Sequence, residues 1–431
     1  MKTVAFCTLG CKVNQYETEA MTEMFKNSGY SVCKFEDVCD IYIINTCTVT
    51  GMSDKKSRQM IRRAKHNNPN AIVAVVGCYS QVSPEEVAKI EGVNLVLGTK
   101  ERKNIVALVE QCNTQSQITK VEDALSNRDY EDIWVTTYDD RTRAYVKIED
   151  GCTEFCSYCI IPYARGPVRS RPIDDIVAEV ERLSFAGFKE VVLTGIHIGS
   201  YGRDLKDVSL LDVLTAVHKI DGIERIRISS VEPRTLTEHF ISEISKLPKI
   251  CDHFHISLQS GCDETLARMN RKYTTDEYYN SVRLLRKFYK NPAITTDIMV
   301  GFAGETDAEF EQSLDFMQKV AFAEAHVFSY SVRKGTKAEK MTGHLPPNVK
   351  EERSKRMIDL CDKLHRDYVE QFAGAQMPVL VERCIGNNVY EGHMTNYIKV
   401  HITSNIDISH KIVDVTIDNF KDGIAYGVLK K

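Results

Sequence analysis

Cys152-Thr-Glu-Phe-Cys156-Ser-Tyr-Cys159 is the stretch on which the reading of this chain turns. Three thiolates on one short loop can hold three irons of a 4Fe-4S cluster, which normally takes four cysteines. The fourth iron is then open to a small-molecule ligand, and an open iron is reactive. Two other readings compete: a structural zinc, and three buried thiols that bind nothing. Zinc sites close at four ligands and usually come as CxxC pairs or Cys/His sets, and no second CxxC or HxxxH lies nearby. The cluster reading is favoured.

The spacing, with Tyr158 just before the last cysteine, resembles the signature loop of the radical S-adenosylmethionine (SAM) enzymes. The resemblance implies that SAM binds the open iron at Cys152, Cys156 and Cys159 through its amino and carboxylate groups. Reductive cleavage of SAM there yields a 5′-deoxyadenosyl radical.

At 431 residues the chain is long for one hydrophobic core and predicts two to four domains. No apolar run of about 18 residues is present to span a bilayer, and Met1-Lys-Thr-Val-Ala-Phe6 leads into a strand-like run with no signal-peptide stretch. The expectation is a cytoplasmic protein without membrane attachment, with its end at Leu429-Lys-Lys431 read as that of a bacterial-type soluble enzyme. In that reducing compartment, 14 cysteines point to metal or catalytic use and away from disulfides. A net charge of −4 neither advertises nor excludes a nucleic-acid partner, because a local patch is what matters.

Residues 1–112 alternate strand and helix, with apolar runs at 3–9, 41–46 and 71–77 and helical stretches near 16–28, 52–67 and 83–91. Buried runs separated by helices predict a parallel sheet covered on both faces, which collects ligands at the carboxyl ends of its strands. Each run ends at a cysteine: Cys11 in Thr8-Leu-Gly-Cys-Lys-Val-Asn, Cys47 in Asn45-Thr-Cys-Thr-Val-Thr, Cys78 in Val76-Gly-Cys-Tyr. One sheet edge can gather these loops around a second cluster. Spacings of 36 and 31 residues carry no metal signature by themselves, so buried structural cysteines stay open as an alternative. Cys7, Cys33, Cys39 and Cys112 fit that structural role better.

With the 152–159 loop, these three motifs resemble the methylthiotransferase family of radical SAM enzymes nearly from end to end. The resemblance implies an auxiliary 4Fe-4S cluster on Cys11, Cys47 and Cys78, so two clusters per chain, with sulfur attached and methylated at the second one.

Residues 113–140 are polar and aperiodic and read as a linker. Beyond them, candidate strands at 143–149, 190–194, 225–229, 253–258, 294–299 and 324–329 alternate with helices such as 174–186 and 276–290. Six such units over 141–372 predict a βα barrel that stops short of eight. The resemblance implies an open three-quarter barrel with SAM contacts at Tyr158, Thr194, Gly195, Ser229, Glu232, Gln259, Asp297 and Gly301. A glycine after a strand is also an ordinary turn, and a loop Gln or Asp an ordinary hydrogen-bonder.

After a charged helix around 348–373, five short alternating runs over 373–431 predict a small antiparallel β-barrel. Gly392-His-Met-Thr-Asn-Tyr397 resembles the TRAM module, an RNA-binding barrel. Tyr390, Tyr397 and Lys399 are its RNA-facing candidates. Arg165, Arg169 and Arg171, just past the cluster loop, either grip substrate phosphates or form a solvated basic turn.

The whole pattern is thus an α/β protein of three parts, and the resemblance implies a tRNA-modifying enzyme. It methylthiolates C2 of an adenine in the anticodon loop, with SAM as methyl donor and radical source and a flavodoxin- or ferredoxin-type electron donor. The branch most resembled acts on N6-threonylcarbamoyladenosine at position 37. Branches acting on isopentenyl-adenosine or a ribosomal protein, and a structural-zinc RNA-binding protein, are the alternatives.

Overall fold

The computed structural model describes residues 2–430, apart from residues 114, 115, 137 and 139–141. A six-stranded parallel sheet opens the chain: β1 (Thr3–Thr8), β2 (Ser31–Cys33), β3 (Ile41–Thr46), β4 (Ile72–Gly77), β5 (Leu95–Leu97) and β6 (Ile118–Lys120), in the order β2-β1-β3-β4-β5-β6. Alternate residues along its strands feed opposite faces. Ala5, Tyr42, Ile44, Val73 and Val75 pack into one core, and Val4, Ile41, Ile43, Ala74 and Val76 into the other. This is why the strands read as unbroken apolar runs.

Three expectations need correction. The sheet has six strands where the sequence shows three, because β2 and β5, at three residues each, are too short to show as runs. The predicted linker is not loose: it contributes β6, and Ile133, Val135 and Tyr138 are buried in the core of the barrel that follows. Of that stretch, residues 114, 115, 137, 139 and 140 lie outside the described residues. Cys33 and Cys39 are joined in a disulfide, against the expectation that the cysteines form none.

The central part is an arc of six parallel strands. β7 (Arg143–Lys147), β10 (Glu190–Thr194) and β11 (Arg225–Ile228) form one hydrogen-bonded set, and β12 (His253–His255), β13 (Ala293–Val300) and β14 (Glu324–Ser329) another. Parallel bridges at Ile226–Ile250 and Val231–Ile256 join them, so the arc is open between β7 and β14. Between β7 and β10, the short antiparallel pair β8 (Glu149–Asp150) and β9 (Arg169–Ser170) closes the base of the 152–159 loop. The predicted helix at 174–186 spans Ile173–Phe185, with Ile176, Val180 and Leu183 buried, and Gly187 at φ +94° lets the chain leave it.

A 23-residue helix, Pro347–Val369, leads to the C-terminal closed barrel of β15 (Gln376–Gly386), β16 (Val389–Met394), β17 (Lys399–Thr403), β18 (Ile412–Lys421) and β19 (Ile424–Leu429). Its order is β15-β16-β17-β19-β18, and β17 pairs with β19 in parallel, so the barrel is not wholly antiparallel as predicted. No helix among the described residues is long and apolar enough to cross a membrane.

Candidate active site

Backbone geometry sets the 152–159 loop. Gly151 has φ +88°, and a Cβ there would lie 2.0 Å from the Pro167 carbonyl oxygen, so only glycine lets β8 turn into the loop. Cys152 N–H donates to the Gly166 carbonyl at 2.9 Å and Cys159 N–H to that of Cys156 at 2.9 Å. Ser157 donates to the carbonyls of Met269, through its N–H at 2.9 Å, and Arg268, through its hydroxyl at 2.8 Å. Arg271 Nη1 donates to Cys156 Sγ at 3.2 Å. Behind it, Glu232 pairs with Arg271 at 2.8 Å and with His197 at 3.5 Å. Burial alone would raise the Glu232 carboxyl, but His197, Arg271 and Arg234 outweigh it and hold it at about 2. Glu232 is therefore an anion that aims Arg271 at the sulfur. Burial pushes the Cys159 thiol up to about 12, aided by neighbouring Cys156, and pushes Cys152 up as well. Such thiols give up their protons to a metal and not to solvent.

The other three cysteines meet at one edge of the N-terminal sheet. β1, β3 and β4 are neighbours, so their carboxyl ends place Cys11 before the helix Lys12–Asn27, Cys47 in the next loop and Cys78 at the start of the helix Cys78–Val82. Gly10, at φ +102°, lets two of these loops touch: a Cβ there would lie 2.7 Å from Cys47 Cβ and 2.9 Å from its sulfur. Asn14 ties them together by donating to the carbonyls of Leu9 at 2.7 Å and Thr46 at 3.0 Å. Arg165 Nε donates to Cys78 Sγ at 3.3 Å. Burial raises all three thiols, while Arg165 pulls each back down.

Both triads are all-sulfur, the donor set of iron-sulfur clusters. A tetrahedral zinc with bonds of about 2.3 Å would draw its sulfurs to within about 4 Å of one another. Among the described residues the only three-residue group with ligand atoms mutually within 4.8 Å is Glu154, His197 and Glu232. The triads therefore fit a wider cluster better than a single metal ion.

Two cavities lie beside these centres, one against each. One of about 520 Å³ is lined by Cys11, Lys12, Thr194, Gly195, Ser229, Asp297 and Tyr397, with His253, His255 and His326 on its walls. Another of about 240 Å³ lies against Tyr158, Cys159, Gln259 and Asp297, with Asp297 facing both. Of the residues expected to contact SAM, Glu232 stands behind the loop at Arg271. Gly301 faces neither cavity; its N–H donates to the Glu305 carboxylate in the turn after β13.

Burial overturns the RNA contacts expected of Arg165, Arg169, Arg171 and Tyr390. Arg165, Arg169 and Arg171 have 0%, 3% and 1% of their surface exposed, so none can grip a phosphate. Arg165 pairs with Glu17 and Asp150, Arg169 with Asp150, and Arg171 with Glu179. Tyr390 packs into the C-terminal barrel core. Tyr397 is the floor of the larger cavity, stacked on His253 and His393 at 5.0 and 4.8 Å, with Arg143 and Arg227 over its ring. Lys399 is partly exposed and pairs with Glu391 at 3.3 Å. Sequence reasoning missed Lys12, Arg271 and the histidines. The alternation His253-Phe-His255 inside a strand was the available signal, because residues two apart share a face.

Residues 3–98 match the family profile described as "Uncharacterized protein family UPF0004", and residues 146–317 that of the Radical SAM superfamily. The chain is 43% identical over 432 residues to the threonylcarbamoyladenosine tRNA methylthiotransferase MtaB of Bacillus subtilis, covering 99% of this chain and 95% of that one. It is 37% identical to the protein of that name in Thermotoga maritima, covering 94% and 92%. It is 36% identical to the tRNA-2-methylthio-N(6)-dimethylallyladenosine synthase of Clostridium tetani, covering 95% and 92%. Among solved structures, the radical SAM methyltransferase TsrM of Kitasatospora setae superposes with a TM-score of 0.57 at 15% identity, over 90% of this chain and 79% of that one. That likeness concerns the fold alone.

Proposed function

The chain belongs to the radical SAM methylthiotransferases, and we propose that it exchanges the C2 hydrogen of N6-threonylcarbamoyladenosine at tRNA position 37 for a methylthio group. SAM and two 4Fe-4S clusters are its cofactors, and when bound they supply the radical that removes the hydrogen and the methylated sulfur that replaces it.

The protein's own residues do the holding and the aiming. Cys152, Cys156 and Cys159 are the ligands of one cluster, and Cys11, Cys47 and Cys78 those of the other. Arg271 and Arg165 each give a hydrogen bond to one ligand sulfur, which steadies the negative charge that builds on it. Thr194, Gly195, Ser229, Gln259 and Asp297 line the strand ends where SAM is bound, and Tyr158 walls the smaller cavity beside Cys159. The observation that carries this reading is the larger cavity, whose wall is shared by Cys11 and the strand ends of the barrel. A base there lies between a radical source and a sulfur source. It must first leave the anticodon-loop stack, which a single-stranded loop permits at modest cost.

The anticodon stem-loop meets the C-terminal barrel at a rim that includes Lys399. A flavodoxin- or ferredoxin-type donor supplies electrons, and the enzyme works in the cytoplasm with its tRNA. The test is mass spectrometry of nucleosides from tRNA carrying threonylcarbamoyl- or isopentenyl-adenosine, after incubation with cluster-loaded enzyme, SAM and reductant. A methylthio product on the threonylcarbamoyl nucleoside alone is expected. A product on the isopentenyl nucleoside alone overturns the substrate, and none on either overturns the reaction on tRNA.

A further inference from the structure

Lys12 is a cation on the wall of the cavity where the substrate base is to be held, attracted by Asp297 but in no close ion pair. It follows Cys11 directly, begins the helix Lys12–Asn27 and lines the 520 Å³ cavity opposite Thr194, Ser229 and Tyr397. Among the described residues it makes no ion pair or hydrogen bond through its ammonium. Of the other charged groups around the cavity, Glu324 on β14 is an exposed carboxylate, and the rest are already answered. Arg143 pairs with Glu382 at 3.1 Å and Arg227 with Glu190 at 2.9 Å. His255 stands 3.4 Å from Asp297 and 3.1 Å from the Thr295 hydroxyl, which also meets His253 at 3.2 Å. While the cavity is open, water satisfies Lys12. Once a base fills it and expels that water, the ammonium is left with Asp297, which His255 also holds, and gains from a second anion at closer range.

The nucleoside's own geometry says where that anion comes from. In adenine, C2 and C6 flank the same ring atom, N1, so the substituent on N6 leaves from the edge that carries the reacting carbon. A nucleoside whose C2 faces Cys11 would turn its N6 substituent toward the same wall, where Lys12 follows Cys11 directly. A threonylcarbamoyl group ends there in a carboxylate, whereas an isopentenyl group ends in hydrocarbon.

We propose that Lys12 is a specificity residue that binds the threonyl carboxylate of the substrate nucleoside. The inference rests on the proposed substrate, and its test separates the two. The substrates are anticodon stem-loops carrying threonylcarbamoyladenosine, either as the free acid or as the methyl ester, which has the same shape without the charge. They are given to cluster-loaded enzyme of equal iron content. The wild type is expected to favour the acid by about ten- to a hundredfold in kcat/KM, chiefly through KM, as one charge-assisted contact supplies. Lys12→Gln is expected to lose that preference, and Lys12→Arg to restore most of it. Direct binding of the two stem-loops, followed by fluorescence anisotropy, gives the same comparison without turnover if Lys12→Gln loads its clusters poorly. An acid preference that survives in Lys12→Gln overturns the proposal. So does a wild type that treats acid and ester alike, which leaves the substrate assignment standing. A wild type that thiolates neither stem-loop overturns the substrate assignment itself.

Discussion

Glu17 is the residue whose loss should most weaken the join between the N-terminal sheet and the barrel. It lies on the helix that begins after Cys11 and is completely buried. Its carboxylate meets Arg102 at 3.2 Å, Lys147 at 3.3 Å and Arg165 at 3.1 Å. Burial alone would raise this carboxyl, but Arg102, Arg165 and Lys147 outweigh it and hold it at about 2, against an ordinary 4.5. Removing one member of a buried ionic group costs about 3–5 kcal/mol at neutral pH. The perturbation is Glu17→Gln, which keeps the shape and leaves the cations short of one anion. The assay is equilibrium urea unfolding of wild type and variant, both free of iron, at pH 7 and in steps down to pH 3. A carboxyl held low in the folded state stabilises fully above about 4.5, and the stabilisation is lost as pH falls towards about 2. The gap between the proteins is therefore expected at about 3 kcal/mol at pH 7, narrowing below pH 4.5. A gap under about 1 kcal/mol at pH 7, or one that stays constant down to pH 3, refutes the reasoning.

Gly10→Ala should drop iron content from about eight per chain towards about four, because the new methyl group meets Cys47 at 2.7 Å; chemical iron analysis reads this directly. Arg271→Leu should make the potential of the 152–159 cluster more negative in a titration followed by electron paramagnetic resonance, since the reduced cluster loses the hydrogen bond on Cys156; an unchanged potential refutes that role. Burial raises the Glu149 carboxyl to about 8, with its one oxygen accepting from His197 N–H at 2.7 Å. A carboxyl held above its unfolded value of 4.5 binds its proton more tightly when folded, so wild-type stability should fall between about pH 4.5 and 8 while Glu149→Gln lacks that slope. Melting temperature against pH tests this. Cys152→Ala should abolish SAM cleavage, whereas Cys47→Ala should keep cleavage and abolish thiolation; a Cys47→Ala enzyme that still thiolates refutes the second ligand set.

The long elements were legible because their burial is periodic. All six barrel strands and all five of the C-terminal barrel lie where apolar runs or alternation put them, and β3, buried at every position, is apolar from Ile41 to Ile44. Strands of three residues left no such trace: β2 and β5 are too short to show a period, and β6 lies in a polar stretch where pairing with β5 decides its state. The arginines after the cluster loop show a second limit. Sequence places Arg165 beside a reactive centre, and nothing local tells that Glu17, 148 residues away, meets it in the interior. Tyr397 likewise reads as a surface aromatic on a turn. Its true neighbours, His253 and Arg227, come from another part of the chain.

Those long-range contacts explain how one cavity draws its wall from three parts of the chain. Cys11 and Lys12 come from the N-terminal part, Thr194, Ser229 and Asp297 from the barrel, and Tyr397 from the C-terminal part. Each seam is fastened by buried or partly buried charge. The Glu17 and Asp150 carboxylates gather Arg102, Lys147 and Arg165 across the first. Arg333 reaches back to Asp54 at 2.7 Å and to the Thr48 hydroxyl at 2.6 Å, next to Cys47. Arg225 and Arg227 donate across the last seam to the carbonyls of Pro378, His393 and Thr395 at 2.8–3.0 Å. Hydrophobic packing alone would hold these parts together with loose register, whereas fixed donors on fixed carbonyls set it. Transfer between two separately held centres needs that register, because a base displaced by about 1 Å loses rate about a hundredfold. The buried arginines thus act on the substrate at one remove, by fixing where the two cysteine triads stand relative to each other.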